Sequence, residues 1–295
     1  MTVKFYWICI VILSLTWACQ TNTKPSDKGH TAELKADSAQ IDSVQNMIYL
    51  LLSPNEVLNE IFSQNLELNQ SLLNPKSNAS KYLNVKQKAT NLGIYIADFA
   101  YLNLCLNKSQ TLEYFKIIRD LAQKNNIYGC FDEFTFDRIQ DNLANNDSLV
   151  SISQEMYYNM TGILENANRQ NINALVTSGT LVEILYLSTL SIEKRPDSHE
   201  LIQKIFEQKD LFDNFYDFIS SQQTDKDVKS VVTQLYPIKQ IMDRSGGVTQ
   251  KTKVTRNSKQ HIEVKGGQDI VATEAAFKQL KTVIIEVRQD FVKVN

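Results

Sequence analysis

The sequence predicts an all-α fold: a multi-helix bundle with an internal duplication, ending in a short β-hairpin or polar loop and a last helix. Three observations lead there. Nine glycines and five prolines in 295 residues are too few for the many turns of an all-β chain. Apolar residues recur at helical spacing from about residue 41 onward. Two long apolar runs, 91–107 and 171–192, each carry a single charge, Asp98 and Glu183 respectively.

The elements follow in chain order. Lys4 precedes an apolar run of 11 residues, Phe5 to Leu15, broken only by Ser14. That run is too short to span a bilayer as a helix of about 20 residues and reads as a removable signal. Residues 20–32 are polar, carry Pro25 and Gly29, and predict a flexible tether with a reach of about 20 Å. Ile41, Val44, Ile48 and Leu51 mark one helix face. Ser53-Pro54-Asn55-Glu56 supplies an N-cap, a proline at the first helical position and an acid in the first turn. A second helix then runs through Val57, Leu58, Ile61 and Phe62 towards the breaker Asn74-Pro75.

The duplication rests on the two apolar runs. In each, the acid is followed three residues later by a tyrosine, Tyr101 or Tyr186, and preceded by a glycine, Gly93 or Gly179. Downstream, 112–118 parallels 199–205, and Ile139, 146–149 and Tyr157 parallel Phe218, 225–228 and Tyr236. The expected copies are 86–167 and 170–242, packed about a pseudo-two-fold axis, since two units are too few for a solenoid. After them Gly246-Gly247 and Gly266-Gly267 read as turns on either side of 250–255 and 260–265, an exposed hairpin around Asn257-Ser258 or a polar loop. Phe277, Leu280, Val283, Ile284 and Val287 give the last helix an apolar stripe. The domain organisation is thus 1–18 signal, 19–32 tether and 33–295 one helical domain, with hairpin and helix in 248–295.

Several function classes lose ground on composition. Lys and Arg are scattered and the net charge is −2, so nothing marks a nucleic-acid footprint. His30, His199 and His261 lie far apart in different segments, and no phosphate loop, nucleophile elbow or dinucleotide fingerprint occurs. No cofactor or metal is expected. Asp98 and Glu183, with Tyr101 and Tyr186, are the candidate ligand or structural residues, because a lone carboxylate in an apolar helix must be paired or protonated. If the copies are symmetric, the two acids face each other. They then bind a cation or act as acid and base, or they fix packing through a neighbouring Tyr or Lys. Cys105 and Cys130 are either a disulfide pair or small core residues. Aromatic clusters at 131–136 and 206–218 read as core, or as a groove wherever they stay exposed.

The end of the apolar run, Leu15-Thr16-Trp17-Ala18-Cys19, resembles the lipobox of bacterial lipoproteins, in which the cysteine is lipidated and becomes the new N-terminus. Trp17 and Thr16 depart from the commonest pattern, while Ala18 fits the small residue before the cut. Together with Leu72-Leu73-Asn74-Pro75 and 88–98 (KATNLGIYIAD), this resembles a family of uncharacterised lipoproteins of Bacteroidota over about residues 45–290. The resemblance implies a helical protein held through Cys19 at the outer membrane, facing the periplasm or the cell surface, and carries no activity. The expected partners are the membrane, through the lipid, and an envelope protein or small ligand bound through the cleft between the two copies. Asp37-Ser38-Ala39, Asp42-Ser43-Val44 and Asp147-Ser148-Leu149 resemble the O-glycosylation signal of that phylum.

Overall fold

The computed structural model describes residues 52–62, 67–192, 195, 197–256, 262–270 and 272–294, and the backbone alone over 246–256 and 262–270. It is an all-α bundle with one appended hairpin. The described helices are α1 Pro54–Phe62, α2 Val85–Leu104, α3 Lys108–Lys124, α4 Glu133–Asp141, α5 Asn146–Asn166, α6 Gln170–Ser191, α7 Ser198–Glu207, α8 Lys209–Ser221, α9 Lys226–Arg244 and α10 Glu274–Val292. The signal, the tether, Cys19, the 41–51 stripe, His30, His261 and the first two Asp-Ser tripeptides lie outside the described residues.

Local chemistry sets most boundaries. Ser53 and Glu56 form a reciprocal cap on α1: Ser53 N–H donates to Glu56 Oε2 at 2.7 Å, and Glu56 N–H donates to Ser53 Oγ at 3.4 Å. Asn84 and Gln87 do the same for α2. Asn107, Asp132, Asn145, Asp225 and Thr273 cap α3, α4, α5, α9 and α10. Leu106, Asn126 and Asn168 take positive φ between helices, the left-handed conformation that stops a helix at its C-terminus.

The second predicted helix is shorter than expected. Its described part is Pro54–Phe62, and by residue 67 the chain is irregular, with 3-10 turns at Gln70–Leu72 and Lys76–Asn78. Asn69 competes for the backbone there, its Oδ1 accepting from Ser71 N–H at 3.2 Å. Leu72, Leu73, Asn74 and Tyr82 are all buried, so this stretch is part of the core.

Both apolar runs become central helices. Every residue of α2 from Ala89 to Asn103 is buried. Helix α6 is long and apolar enough to cross a membrane, yet 83% of that stretch is buried inside the bundle, as in a core helix. Ser178, Thr180 and Thr189 donate to the carbonyls of Ala174, Val176 and Leu185 on their own helix, which lets hydroxyls be buried, and Thr180 also reaches Gly93 O of α2 at 3.2 Å.

Helices α2 and α6 run in the same direction. Gly93 faces Val176 and Thr180, Asp98 lies beside Glu183, and the Tyr101 hydroxyl reaches Ser191 Oγ at 3.4 Å. Their approach is backbone to backbone. A Cβ on Gly93 would stand 1.9 Å from Val176 O, and one on Gly179 would stand 1.8 Å from Thr90 O. The contact is reciprocal, since each glycine meets the residue three before the other glycine. The two helices are in direct contact at these glycines. The order of a long apolar helix, two shorter ones and a long one occurs twice, α2–α5 and α6–α9. Around this pair stand α1, α3, α5 and α9, while α10 packs against α6, α9 and α2. Lys209, Asp213, Lys239 and Asp243 alternate in charge and link α8 to α9.

The C-terminal segment is an antiparallel hairpin, β1 Gly246–Arg256 and β2 Ile262–Ile270. Gly246-Gly247 and Gly266-Gly267 are therefore strand residues rather than turns. The register shifts between Gly246 and Thr249 and again between Gln250 and Lys253, the irregularity that glycine in a strand accommodates. Asp147-Ser148-Leu149 sits in the first turn of α5, with Leu149 in the core.

The helix pair yields a direct test. Gly93→Ala and Gly179→Ala should each lower the unfolding free energy by at least about 2 kcal/mol in urea titrations, because the obstructing atoms are backbone. Gly162→Ala on α5, where an added Cβ meets nothing within 4 Å, should be neutral or stabilising by up to about 1 kcal/mol.

Candidate functional site

Asp98 and Glu183 do converge, and they do so out of reach of solvent: both are 0% exposed. The direct approach of α2 to α6 carries one acid from each helix into the same space. What meets them is Arg288, projected from α10. Its Nε donates to Glu183 Oε2 and its Nη2 to Glu183 Oε1, each at 3.0 Å. The second nitrogen also donates to Leu72 O at 3.2 Å. The guanidinium lies over the Tyr186 ring at 4.5 Å from its centre, a cation–π contact strengthened by desolvation. Glu183 thus has both oxygens occupied by one bidentate cation.

Asp98 has less. Its Oδ2 accepts the backbone N–H of Asn74 at 3.1 Å, and no donor reaches its Oδ1. Its other close neighbour is the Glu183 carboxylate. Two carboxylates and one guanidinium leave a buried site one positive charge short. Burial first, and then the Glu183 charge, hold the Asp98 carboxyl well above the usual carboxylate range, against the opposing pull of Arg288 and the Asn74 amide. Burial and the Glu183 charge both favour the protonated form of Asp98. Burial works against the charge of Arg288, but Glu183 outweighs it and keeps the guanidinium ionised.

Asn74 ties this site to the loop that covers it. Besides its amide bond to Asp98, its carbonyl accepts from the Tyr114 hydroxyl at 3.1 Å. Its Nδ2 donates to Tyr82 Oη at 3.0 Å and to Asn91 Oδ1 at 3.2 Å. The Tyr95 hydroxyl donates to Pro75 O at 2.8 Å, and Asn91 Nδ2 donates to Phe291 O of α10 at 2.8 Å. Burial pushes the phenols of Tyr82, Tyr95 and Tyr114 above their ordinary value, so they remain neutral donors.

The four residues singled out from sequence divide. Asp98, Glu183 and Tyr186 share the site. Tyr101 does not; it is fully buried further along α2, where its hydroxyl donates to Glu67 O and accepts from Asn69 N–H, both at 3.2 Å. The packing partner expected for each acid is a tyrosine or lysine; Glu183 has Arg288 instead, and Asp98 has the Asn74 amide. Sequence reasoning missed Arg288, Asn74, Tyr82 and Asn91. Arg288 did leave a signal: it falls four residues after Ile284 and three before Phe291, a charge on the apolar stripe of α10. Asn74 left none, because Asn-Pro reads first as a breaker.

Other candidates are less organised. Cys105 and Cys130 are both free, and burial pushes each thiol up to about 12, which leaves them unreactive near neutrality. His199 is exposed at the start of α7. Among the described residues no group of three His, Cys, Asp or Glu could hold a metal. Phe206, Phe212, Phe215 and Phe218 are core, whereas Phe134 is 69% exposed beneath the Arg138 guanidinium. No known protein family, curated protein or solved structure matches the chain.

The charge balance predicts an unusual pH response. A carboxyl raised in the native state binds a proton there that the unfolded chain releases above its ordinary range near pH 4. Stability from this group is therefore full in acid and falls as pH rises towards the raised native value, by up to about 1.4 kcal/mol per pH unit. The Glu183 carboxylate, Arg288 and the phenols of Tyr82, Tyr95, Tyr114 and Tyr186 are the other groups facing it. Asp98→Asn keeps an acceptor for Asn74 and offers Glu183 a fixed donor, so denaturation at about pH 8 should show it more stable than wild type, with the gap closing towards about pH 4. Arg288→Met should cost about 3–5 kcal/mol at neutral pH by leaving Glu183 buried and unpaired.

Proposed function

We propose that the chain is a lipid-anchored envelope protein, exported by its N-terminal signal, cut before Cys19 and held at the outer membrane, whose helical body is a non-catalytic binding module. Its partners on this reading are another envelope protein or a small ligand. The observation that carries the non-catalytic part is the occupancy of Glu183, whose two oxygens are both taken by Arg288 in a site with no exposure. General acid–base chemistry needs a carboxyl within hydrogen-bond reach of a substrate proton, and these carboxyls reach only each other, Arg288 and Asn74. Export and anchoring are supported by the Phe5–Leu15 apolar run and Ala18-Cys19. The paired succession of four helices and the reciprocal glycine contact support reading the body as two copies of one unit, at 86–167 and 170–242.

The competing reading is an enzyme or metal-binding domain built on Asp98 and Glu183, and the unpartnered Asp98 Oδ1 is the observation in its favour. It requires Arg288 to leave Glu183 and water or a cation to enter the core, at a cost of several kcal/mol per desolvated charge.

Two measurements check the proposal. Labelled palmitate should enter the wild-type protein in cells and not Cys19→Ser; equal labelling of both, or of neither, contradicts the anchor. The melting temperature should stay within about 1 °C on adding millimolar magnesium, calcium, manganese or zinc. A rise of several degrees that disappears in Glu183→Gln would establish the metal reading instead.

A further inference from the structure

We propose that the β1–β2 hairpin is the face with which the anchored protein meets an anionic lipid surface. This rests on the lipid-anchor reading and adds to it an orientation: the body lies hairpin-first on the membrane.

The starting point is a segregation of charge. Residues 244–281 hold eight Lys and Arg against three acids, Glu263, Asp269 and Glu274, a balance of +5. The whole chain carries −2, so the remainder carries −7. Scattered in the sequence as a whole, cations are concentrated in this one stretch. The fold then gathers them. β1 begins two residues after Arg244 closes α9, and Ala272 N–H, just beyond β2, donates to Gln203 Oε1 of α7 at 3.3 Å. Both ends of the ribbon are therefore held at one end of the bundle, and Lys278 and Lys281 follow in the first two turns of α10.

The register adds a second observation. Lys253 stands directly opposite Lys265, beside the pair Thr255–Glu263, and Val254 stands opposite Val264. Pairs of like charge across a ladder oppose strand pairing, and a lone two-stranded ribbon has no core of its own to offset that. Among the described residues the strands pair only with each other. Such a ribbon gains most where its lysines meet negative charge over a broad surface. Alternation places Lys253, Thr255, Glu263 and Lys265 on one face and Val254, Arg256, Ile262 and Val264 on the other, so cations stand on both faces of the ribbon.

The membrane is the anionic surface that this chain is kept near. A tether of about 20 Å holds the body at high effective concentration over the bilayer, so a weak contact suffices to orient it. Each Lys or Arg at an anionic surface strengthens binding by about five-fold, and the effect fades within a Debye length.

The test uses the chain from Gln20 to Asn295 without lipid, which retains every described residue. It is sedimented with phosphatidylcholine vesicles, with or without phosphatidylglycerol as roughly a third of the lipid. The expected result is binding to the anionic vesicles alone, weakened by salt. The variant carrying Lys251→Gln, Lys253→Gln, Arg256→Gln and Lys265→Gln should bind several hundred-fold more weakly, by about five-fold per residue, with an unchanged melting temperature. If that variant melts differently, Lys253→Gln and Lys265→Gln singly should each weaken binding about five-fold. Binding to neutral vesicles as well, indifference to salt or to these substitutions, or no binding at all would overturn the proposal. Capture of a polyglutamate peptide without binding to vesicles would overturn it too, in favour of an acidic protein partner. Failure of the anchor itself would show in palmitate labelling at Cys19 and leaves the vesicle result independent.

Discussion

The buried contact between Glu183 and Arg288 is the constraint around which the rest of the bundle is arranged. A carboxylate placed in an apolar helix costs several kcal/mol unless a cation meets it with good geometry. Here the cation comes from α10, more than a hundred residues away in sequence. The C-terminal helix is thereby fixed in angle and register against α6. The covering loop is fixed by the same guanidinium through Leu72 O, and Asp98 extends the tie to Asn74. Four segments distant in sequence are locked together by polar groups that tolerate no slippage. Apolar packing of Leu, Ile and Phe would have filled the same space with several near-equivalent arrangements.

That site depends on how closely α2 and α6 approach. With Gly93 and Gly179 facing backbone, the helices come near enough for the acids to meet, and an excess negative charge follows. Burial and the Glu183 charge push the Asp98 carboxyl upward, which favours a proton there in place of a second cation. The consequence is a core whose charge balance is set by pH, and whose stability leans towards acid where a surface carboxylate would have leaned the other way. The two central helices also account for an ambiguity of composition. Helix α6 has the length and hydropathy of a membrane span because it is surrounded by protein on nearly all sides, and the hydroxyls of Ser178, Thr180 and Thr189 bond back to carbonyls of the same helix.

Much of the architecture was legible in the sequence, and the reasons are local. Periodicity and capping residues act over a few positions, so Ser53-Pro54 and the two apolar runs announced their helices. The acids were legible as an anomaly, a single charge in each run. The irregular stretch from residue 67 was not, since it is shaped by burial of Leu72, Leu73 and Tyr82. The glycine pairs of the hairpin misled because glycine serves both turns and irregular strands. Arg288 was read as part of a helix rather than as a partner, because pairing across the chain depends on topology, which one sequence does not display. Tyr101 shared the spacing of Tyr186 without sharing its role; three residues along a helix leave room for either face.

The measurement that bears most directly on this account is the titration of the Asp98 carboxyl itself, followed by carbon NMR with labelled aspartate and assigned through the signal missing in Asp98→Asn. The account predicts one aspartate that remains protonated through neutral pH while the exposed aspartates ionise near pH 4. An Asp98 signal that titrates with the others would mean that the site holds two negative charges against Arg288, and that a buried shared proton does not organise this core.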